Sequence, residues 1–239
     1  MKAIIRLSAI FFLLIGTTSC FMDGVKGDGN VISKNRKISD DFSRVEVSRG
    51  LDLYITKSKN VSLEVEADEN LHELIETDVK DGVLRITSSR NIWSASSKKI
   101  HLSVDHLNGI GVNSGAEVRT RNTFVSDQLD LDISSGASAE MELEVEDLSC
   151  DISSGADAKL SGDAVNFRVS SSSGSDVKAY DLRARNCRAD ASSGSDIKLM
   201  ATETIEAEAT SGADIRFKGN PKVLRTKDNS GGSIRSIDA

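Results

Sequence analysis

Proline and aromatic side chains are close to missing. The chain carries one proline, Pro221, and aromatics make up 4% of its 239 residues. An interior of that composition cannot be assembled around rings; it must be packed from Val, Ile, Leu, Ala and Ser. Cysteine is scarce too, with Cys20, Cys150 and Cys187 alone, which excludes a disulfide framework as the source of stability. The three histidines, His72, His101 and His106, stand at no metal-ligand spacing with a cysteine or with one another. They read as surface or cap residues, and neither a metal nor another cofactor is expected. Net positive charge is absent: the formal balance is -7, so no basic patch serves nucleic acid and anionic lipid would repel the chain slightly. No phosphate-binding Gly loop or nucleotide fingerprint occurs. After the N-terminus no segment approaches the ~20 apolar residues that a membrane-spanning helix needs.

The N-terminus holds what the rest lacks. Lys2 and Arg6 form a short basic start, residues 10–15 are apolar, and Gly16-Thr17-Thr18-Ser19 leads to Cys20. This resembles a bacterial lipoprotein signal, although Thr17 stands where such signals often carry Leu. The resemblance implies that residues 1–19 are removed and that Cys20 is lipidated, holding the protein at the cell envelope on the outer membrane, with its face open. The alternative is an ordinary cleaved signal with an incidental cysteine. Residues 20–31, rich in Gly and Asp over 23–30 (DGVKGDGN), read as a flexible tether.

A Ser-Gly pair then recurs at nearly constant spacing: Ser114-Gly115, Ser135-Gly136, Ser154-Gly155, Ser173-Gly174, Ser193-Gly194, Ser211-Gly212 and Ser230-Gly231. The steps between glycines are 21, 19, 19, 20, 18 and 19 residues. A period near twenty predicts a solenoid. Seven residues before the glycine stand Asn108, Leu129, Leu148, Phe167, Cys187, Ile205 and Leu224; three after it stand Val118, Ala139, Ala158, Val177, Ile197, Ile215 and Ile234. Odd offsets are apolar or small almost throughout, which is the two-residue period of a strand. The polar entries gather in the first and last repeats, where a solenoid needs caps. The expected fold is all-β, a single-domain parallel β-helix of about 19-residue coils over residues 32–239, with the repeats at about 105–236.

The glycine reads as the residue that turns a corner. The serine before it has an odd offset, so parity points it inward, as one of a stack of hydroxyls with a structural role. Nucleophilic serines would need a base, and none accompanies them. Cys150 and Cys187 fall on different inward columns two coils apart, about 10 Å along the axis and 7 Å along the strand, beyond the ~7 Å that a disulfide bridges. They are expected as free core thiols.

Outward positions carry the charge. Two residues after the glycine come Glu117, Ser138, Asp157, Asp176, Asp196, Asp214 and Ser233. A row of Asp157, Asp176, Asp196 and Asp214 suggests a binding ladder, for a cation such as calcium among others. The next outward position holds Arg119, Glu140, Lys159, Lys178, Lys198, Arg216 and Arg235. That basic row favours a self-compensated, solvated face over a metal site.

Earlier in the chain, apolar alternation around Gly50 marks an additional coil, and Val61 to Ala67 alternate as a strand. Residues 70–76 could form a short helix or turn, Asp81-Gly82 a hairpin turn, and residues 91–99 a polar loop. That loop carries Trp93, which folds over an end of the solenoid or stacks on a sugar.

Residues 42–55 (FSRVEVSRGLDLYI), 76–86 (ETDVKDGVLRI) and the repeated Ser-Ser-Gly-Ala/Ser-Asp together resemble the "putative auto-transporter adhesin, head GIN domain" family (DUF2807), from about residue 41 to 235. The resemblance implies a β-helical envelope domain, common in lipoproteins of Bacteroidetes, and supplies no catalytic residues. No membrane barrel follows the repeats. The reading is a non-catalytic binding, adhesion or structural module, attached to the membrane and facing an envelope glycan or protein. The alternatives are a polysaccharide-active β-helix enzyme and a self-associating envelope scaffold.

Overall fold

The computed structural model describes residues 24–237; Cys20 and the signal segment lie outside them. The N-terminal strands are β1 (Gly24–Lys26), β2 (Val31–Arg36), β3 (Arg44–Val47), β4 (Asp52–Lys57), β5 (Ser62–Asp68), β6 (Ile75–Lys80), β7 (Val83–Ser88), β8 (Asn91–Ser94) and β9 (Lys98–Val104). The coiled region follows with β10 (Gly109–Val112), β11 (Glu117–Thr120), β12 (Phe124–Ile133), β13 (Ser138–Ile152), β14 (Asp157–Ser171), β15 (Asp176–Ala191), β16 (Asp196–Ala209), β17 (Asp214–Lys218), β18 (Lys222–Asp228) and β19 (Ser233–Ser236).

From β10 onward every pairing is parallel and each coil lies on the next. Asp157 pairs with Asp176, Asp176 with Asp196 and Asp196 with Asp214, so the expected β-helix and its period of about 19 residues are present. Each coil has a leading wall before its Ser-Gly corner, a trailing wall after it, and a third wall joining the two. Inward columns of Val, Ile, Leu and Ala fill the axis, with Phe124 and Phe167 fully buried. Such stacking buries apolar area mostly as aliphatic side chains, at about 25 cal/mol per Å². Cys150 and Cys187 are both buried and free, on the separate columns that their offsets require. Burial pushes both thiols up, that of Cys187 to about 12.

The corner corrects one expectation. The serines do not point inward. Ser114, Ser135, Ser154, Ser173, Ser193 and Ser211 are exposed, with φ between 53° and 58°, and each following glycine has φ between 67° and 74°. Two successive left-handed residues are the φ signature of a type I′ turn. The i→i+3 bond of that turn is present, as Ala137 N to Ser134 O at 3.2 Å. The turn places both of its central residues on the outside, so the serine at the odd offset -1 leaves the alternation, which resumes in the same phase after the glycine. The side chains that point in are those after the glycine: Ala116, Ala137, Ala156, Ser175, Ser195 and Ala213. A Cβ on Gly155 or Gly174 would meet nothing within 4 Å; positive φ alone requires glycine there. Corners are joined by backbone, with Gly136 N donating to Ser154 O and Gly155 N to Ser173 O, both at 3.1 Å. Nothing in the structure explains serine rather than asparagine before the glycine.

Hydroxyls do enter the core, at other positions. Ser175 Oγ lies 2.8 Å from Ser171 Oγ and donates to Ile152 O at 3.1 Å, and Ser195 Oγ donates to Ser171 O at 2.8 Å. On the half-buried outer edge, Thr204, Asn186, Asn166 and Asp147 form a side-chain ladder through four coils. Thr204 Oγ1 donates to Asn186 Oδ1 at 2.7 Å, Asn186 Nδ2 to Asn166 Oδ1 at 3.1 Å, and Asn166 Nδ2 to Asp147 Oδ1 at 2.9 Å.

The coil stacked on Ser114-Gly115 is that of Arg49-Gly50, which has the same left-handed pair (φ 59° and 69°) and donates Gly50 N to Ser114 O at 3.0 Å. Gly50 therefore marks an early coil as expected, and the first Ser-Gly repeat is not the end of the stack. The end is closed by strands that run back. β5 is antiparallel to both β9 and β2, and β6–β7 is an antiparallel hairpin turning at Asp81-Gly82. Antiparallel closure covers an edge that parallel coils would leave open. Residues 70–76 give a 3-10 turn at Glu69–Leu71 and then the start of β6.

Two segments differ from their sequence reading. From residue 24 the expected tether is docked: β1 pairs with β8, and residues 91–94 of the expected loop are that strand. The docking is electrostatic as well as steric. Asp68, fully buried, accepts from the backbone N–H of Gly29 (2.9 Å), Ser96 (3.0 Å) and Ser97 (2.9 Å). A Cβ on Gly27 would lie 2.0 Å from Asp68 Oδ2, so this glycine, read as flexibility, instead serves close approach. At the other end, Thr226 and Asp228 are exposed at positions that are buried and, Ser171 apart, apolar in the inner coils, giving the last coil a polar cap.

Candidate functional site

The expected acidic ladder is assembled on the trailing wall. Its register runs Asp52, Glu117, Ser138, Asp157, Asp176, Asp196, Asp214, Ser233. The basic row beside it reaches into it. Asp176 receives Lys178 at 3.2 Å and Lys198 at 3.4 Å, Asp214 receives Arg216 at 3.3 Å, and Arg119 bonds Glu117 at 2.6 Å. Lys159 sits 2.7 Å from Glu140 and its hydrogen bond holds that carboxyl below the usual range. Asp157 and Asp196 form no ion pair within 4 Å among the described residues. The basic row thus neutralises Asp176 and Asp214 but not Asp157 or Asp196 by direct pairing among the described residues, and each exposed pair contributes little. Among the described residues no group of three or more His, Cys, Asp or Glu is placed to hold a metal ion.

The histidines separate. His72 is buried under the cap, its Nε2 3.0 Å from Ile32 O. His101 stacks on Tyr54 (5.4 Å) and reaches Glu66 at 3.2 Å. His106 follows β9 and pairs with Asp105 at 3.3 Å.

A second acidic row, on the leading wall, was missed. Four residues before the glycine stand Asp132, Asp151, Ser170, Asp190 and Glu208, and two before it Ser134, Ser153, Ser172, Ser192 and Thr210. These two columns line a groove of about 520 Å³ that follows the corner along the axis. Carboxylates and hydroxyls alternate across it at the ~4.8 Å spacing of strands. Arg44 bonds Asp132, Arg188 lies 3.3 Å from Asp190, and Lys227 lies 2.6 Å from Glu208. Asp151 forms no ion pair among the described residues. The same glycine alignment, extended to the even offsets before the corner, contained this signal.

A wider trough of about 960 Å³ lies on the third wall, where Asp127, Glu144, Glu146 and Asp163 face Arg183 and Arg185. Glu144 and Asp163 are register partners. All four carboxylates are exposed to water, and none forms an ion pair within 4 Å among the described residues.

A family model described as "Putative auto-transporter adhesin, head GIN domain" matches residues 41–221. Among solved structures, a "putative adhesin" from Bacteroides fragilis is 25% identical, with a TM-score of 0.83, covering 90% of this chain and 100% of that one. A "putative lipid binding protein" from Parabacteroides distasonis (19% identity, TM-score 0.73) covers 90% of this chain and 100% of its own, and a "putative adhesin" from Parabacteroides merdae (20%, 0.71) covers 90% and 99%. These last two show the fold alone. No curated protein matches the sequence.

Proposed function

The chain belongs to the auto-transporter adhesin head GIN family, and from that premise we propose that it is a lipid-anchored, non-catalytic binding module of the cell envelope. The groove beside the corner carries the reading. Its two polar columns run along the axis over five coils, a geometry matched to a linear polar ligand such as an envelope glycan. Sugar hydroxyls are met there by carboxylates that accept and by serines that both donate and accept. The basic start, apolar run and Cys20 of the N-terminus support attachment to the outer membrane through acylation.

The test is a glycan array and an envelope-extract pulldown with the full chain. Asp151→Asn with Asp190→Asn should reduce glycan capture, whereas replacing Asp176, Asp196 and Asp214 together should leave it intact. Binding lost only with the second set would move the site to the trailing wall.

A second reading, a polysaccharide-active enzyme, draws on the trough, whose four carboxylates lack cationic partners within 4 Å. Glycoside hydrolysis asks for one carboxyl held protonated by apolar surroundings, and these are open to water. Release of reducing ends from envelope polysaccharide, abolished by Glu144→Gln, would establish it. Self-association through the last coil is opposed by Thr226 and Asp228, and a mass that rises with concentration would restore it.

A further inference from the structure

Trp93 is the largest exposed apolar side chain among the described residues, 65% exposed, and the only tryptophan of the chain. It stands on β8, whose parallel partner β1 pairs Gly24 with Asn91 and Val25 with Ile92. A Cβ on Gly24 would lie 3.0 Å from Trp93 Cβ, so the backbone of Gly24 rests on the base of the indole side chain. Three residues join Gly24 to Cys20. Fully extended, that connection reaches at most about 14 Å.

Resting on the lipid-anchor reading above, we propose that the β1–β8 ribbon is the face laid against the bilayer that holds the protein's own anchor, with Trp93 seated at headgroup level. An acylated Cys20 so close to Gly24 keeps the bilayer surface within reach of the ribbon. Indole has an apolar body and a polar N–H, the combination that favours the membrane interface. Lys26 is exposed on β1 opposite Ser94, and Arg49 shares a hollow with Asn91 and Ile92. These cations face phosphate headgroups locally, against the chain's overall charge of -7. β18 lies seven strand steps from β3 along the leading wall, roughly 34 Å at ordinary strand spacing. The C-terminal coils are therefore the membrane-distal end.

The single tryptophan makes the test direct. The full acylated chain is placed in vesicles of phosphatidylethanolamine and phosphatidylglycerol, with Cys20→Ser in solution as reference. Trp93 emission should move to shorter wavelength, acrylamide quenching should fall several-fold, and lipids brominated high on their chains should quench. The acyl mass on Cys20 is read on the same sample. Acylated protein whose Trp93 stays as accessible as in the Cys20→Ser chain overturns the membrane face and leaves the anchor standing; an unmodified Cys20 removes the anchor and this proposal with it. In Trp93→Phe with Val223→Trp, the reporter at the far end should remain open to acrylamide; equal shielding there would overturn the orientation. If the soluble Cys20→Ser chain instead changes emission with added glycan or with protein concentration, Trp93 belongs to a sugar site or to a second copy, and the proposal fails.

Discussion

Asn186 donates from Nδ2 to Oδ1 of Asn166 in the adjacent coil at 3.1 Å, and Asn166 passes the same pattern on to Asp147 at 2.9 Å. Each amide is donor to one neighbour and acceptor from the other, so the ladder has a direction and every rung fixes the amide orientation of the next. Asn166→Leu leaves Asp147 without its donor and Asn186 without its acceptor. The expected loss is about 1–3 kcal/mol in urea unfolding. A change under a few tenths would show that water replaces the rung.

Gly155 and Gly162 both have positive φ, 67° and 104°, yet their surroundings differ. A Cβ on Gly155 meets open space, while one on Gly162 would lie 2.0 Å from Leu143 O. Gly155→Ala should cost about 1–2 kcal/mol, the left-handed penalty alone. Gly162→Ala should cost more, because backbone must move as well. Equal thermal shifts for the two would contradict this account of the corner.

Acid should loosen the N-terminal docking. Burial raises the Asp68 carboxyl, but the backbone N–H donors of Ser97, Gly29 and Ser96 outweigh it, and the net position is below its ordinary 3.8. A carboxyl depressed on folding contributes stability that is fully present above its unfolded value and is lost as pH falls through the folded one. Amide exchange of residues 24–30 should therefore accelerate only below about pH 4. Asp68→Asn should show fast exchange at neutral pH and lose that acid step; an unchanged step would assign it to another group.

Cys150 and Cys187 should ignore a disulfide thiol reagent at pH 8 in the folded Cys20→Ser chain, because burial holds both as thiols. Two equivalents should react once the chain is unfolded in urea. Rapid labelling of folded protein, or a Cys150–Cys187 bridge by mass, would break the coil register.

The charge columns of the trailing wall were legible because acidic and basic residues recur at fixed offsets from glycine, and a strand converts offset into face. The free thiols were legible for the same reason. The corner was not. Parity assumes an unbroken strand, and two left-handed residues interrupt it, turning Ser154 outward before the inward phase resumes at Ala156. The leading-wall groove went unread although Asp151 and Ser153 sit at fixed offsets, because a charge column shows as a groove only when the corner beside it stands out from the wall.

The sequence by itself determined the repeat: the period, the parallel stacking, the inward apolar columns and the alternation of charge. Those properties follow from local periodicity, which needs no knowledge of distant contacts. Only the tertiary structure decided how the ends are closed. Arg49-Gly50 stacks on Ser114-Gly115 across a long excursion in sequence, and the backbone of Gly29 is held by Asp68. No local rule encodes these pairings; they form because an open coil edge and a buried carboxylate each need partners that come from elsewhere in the chain.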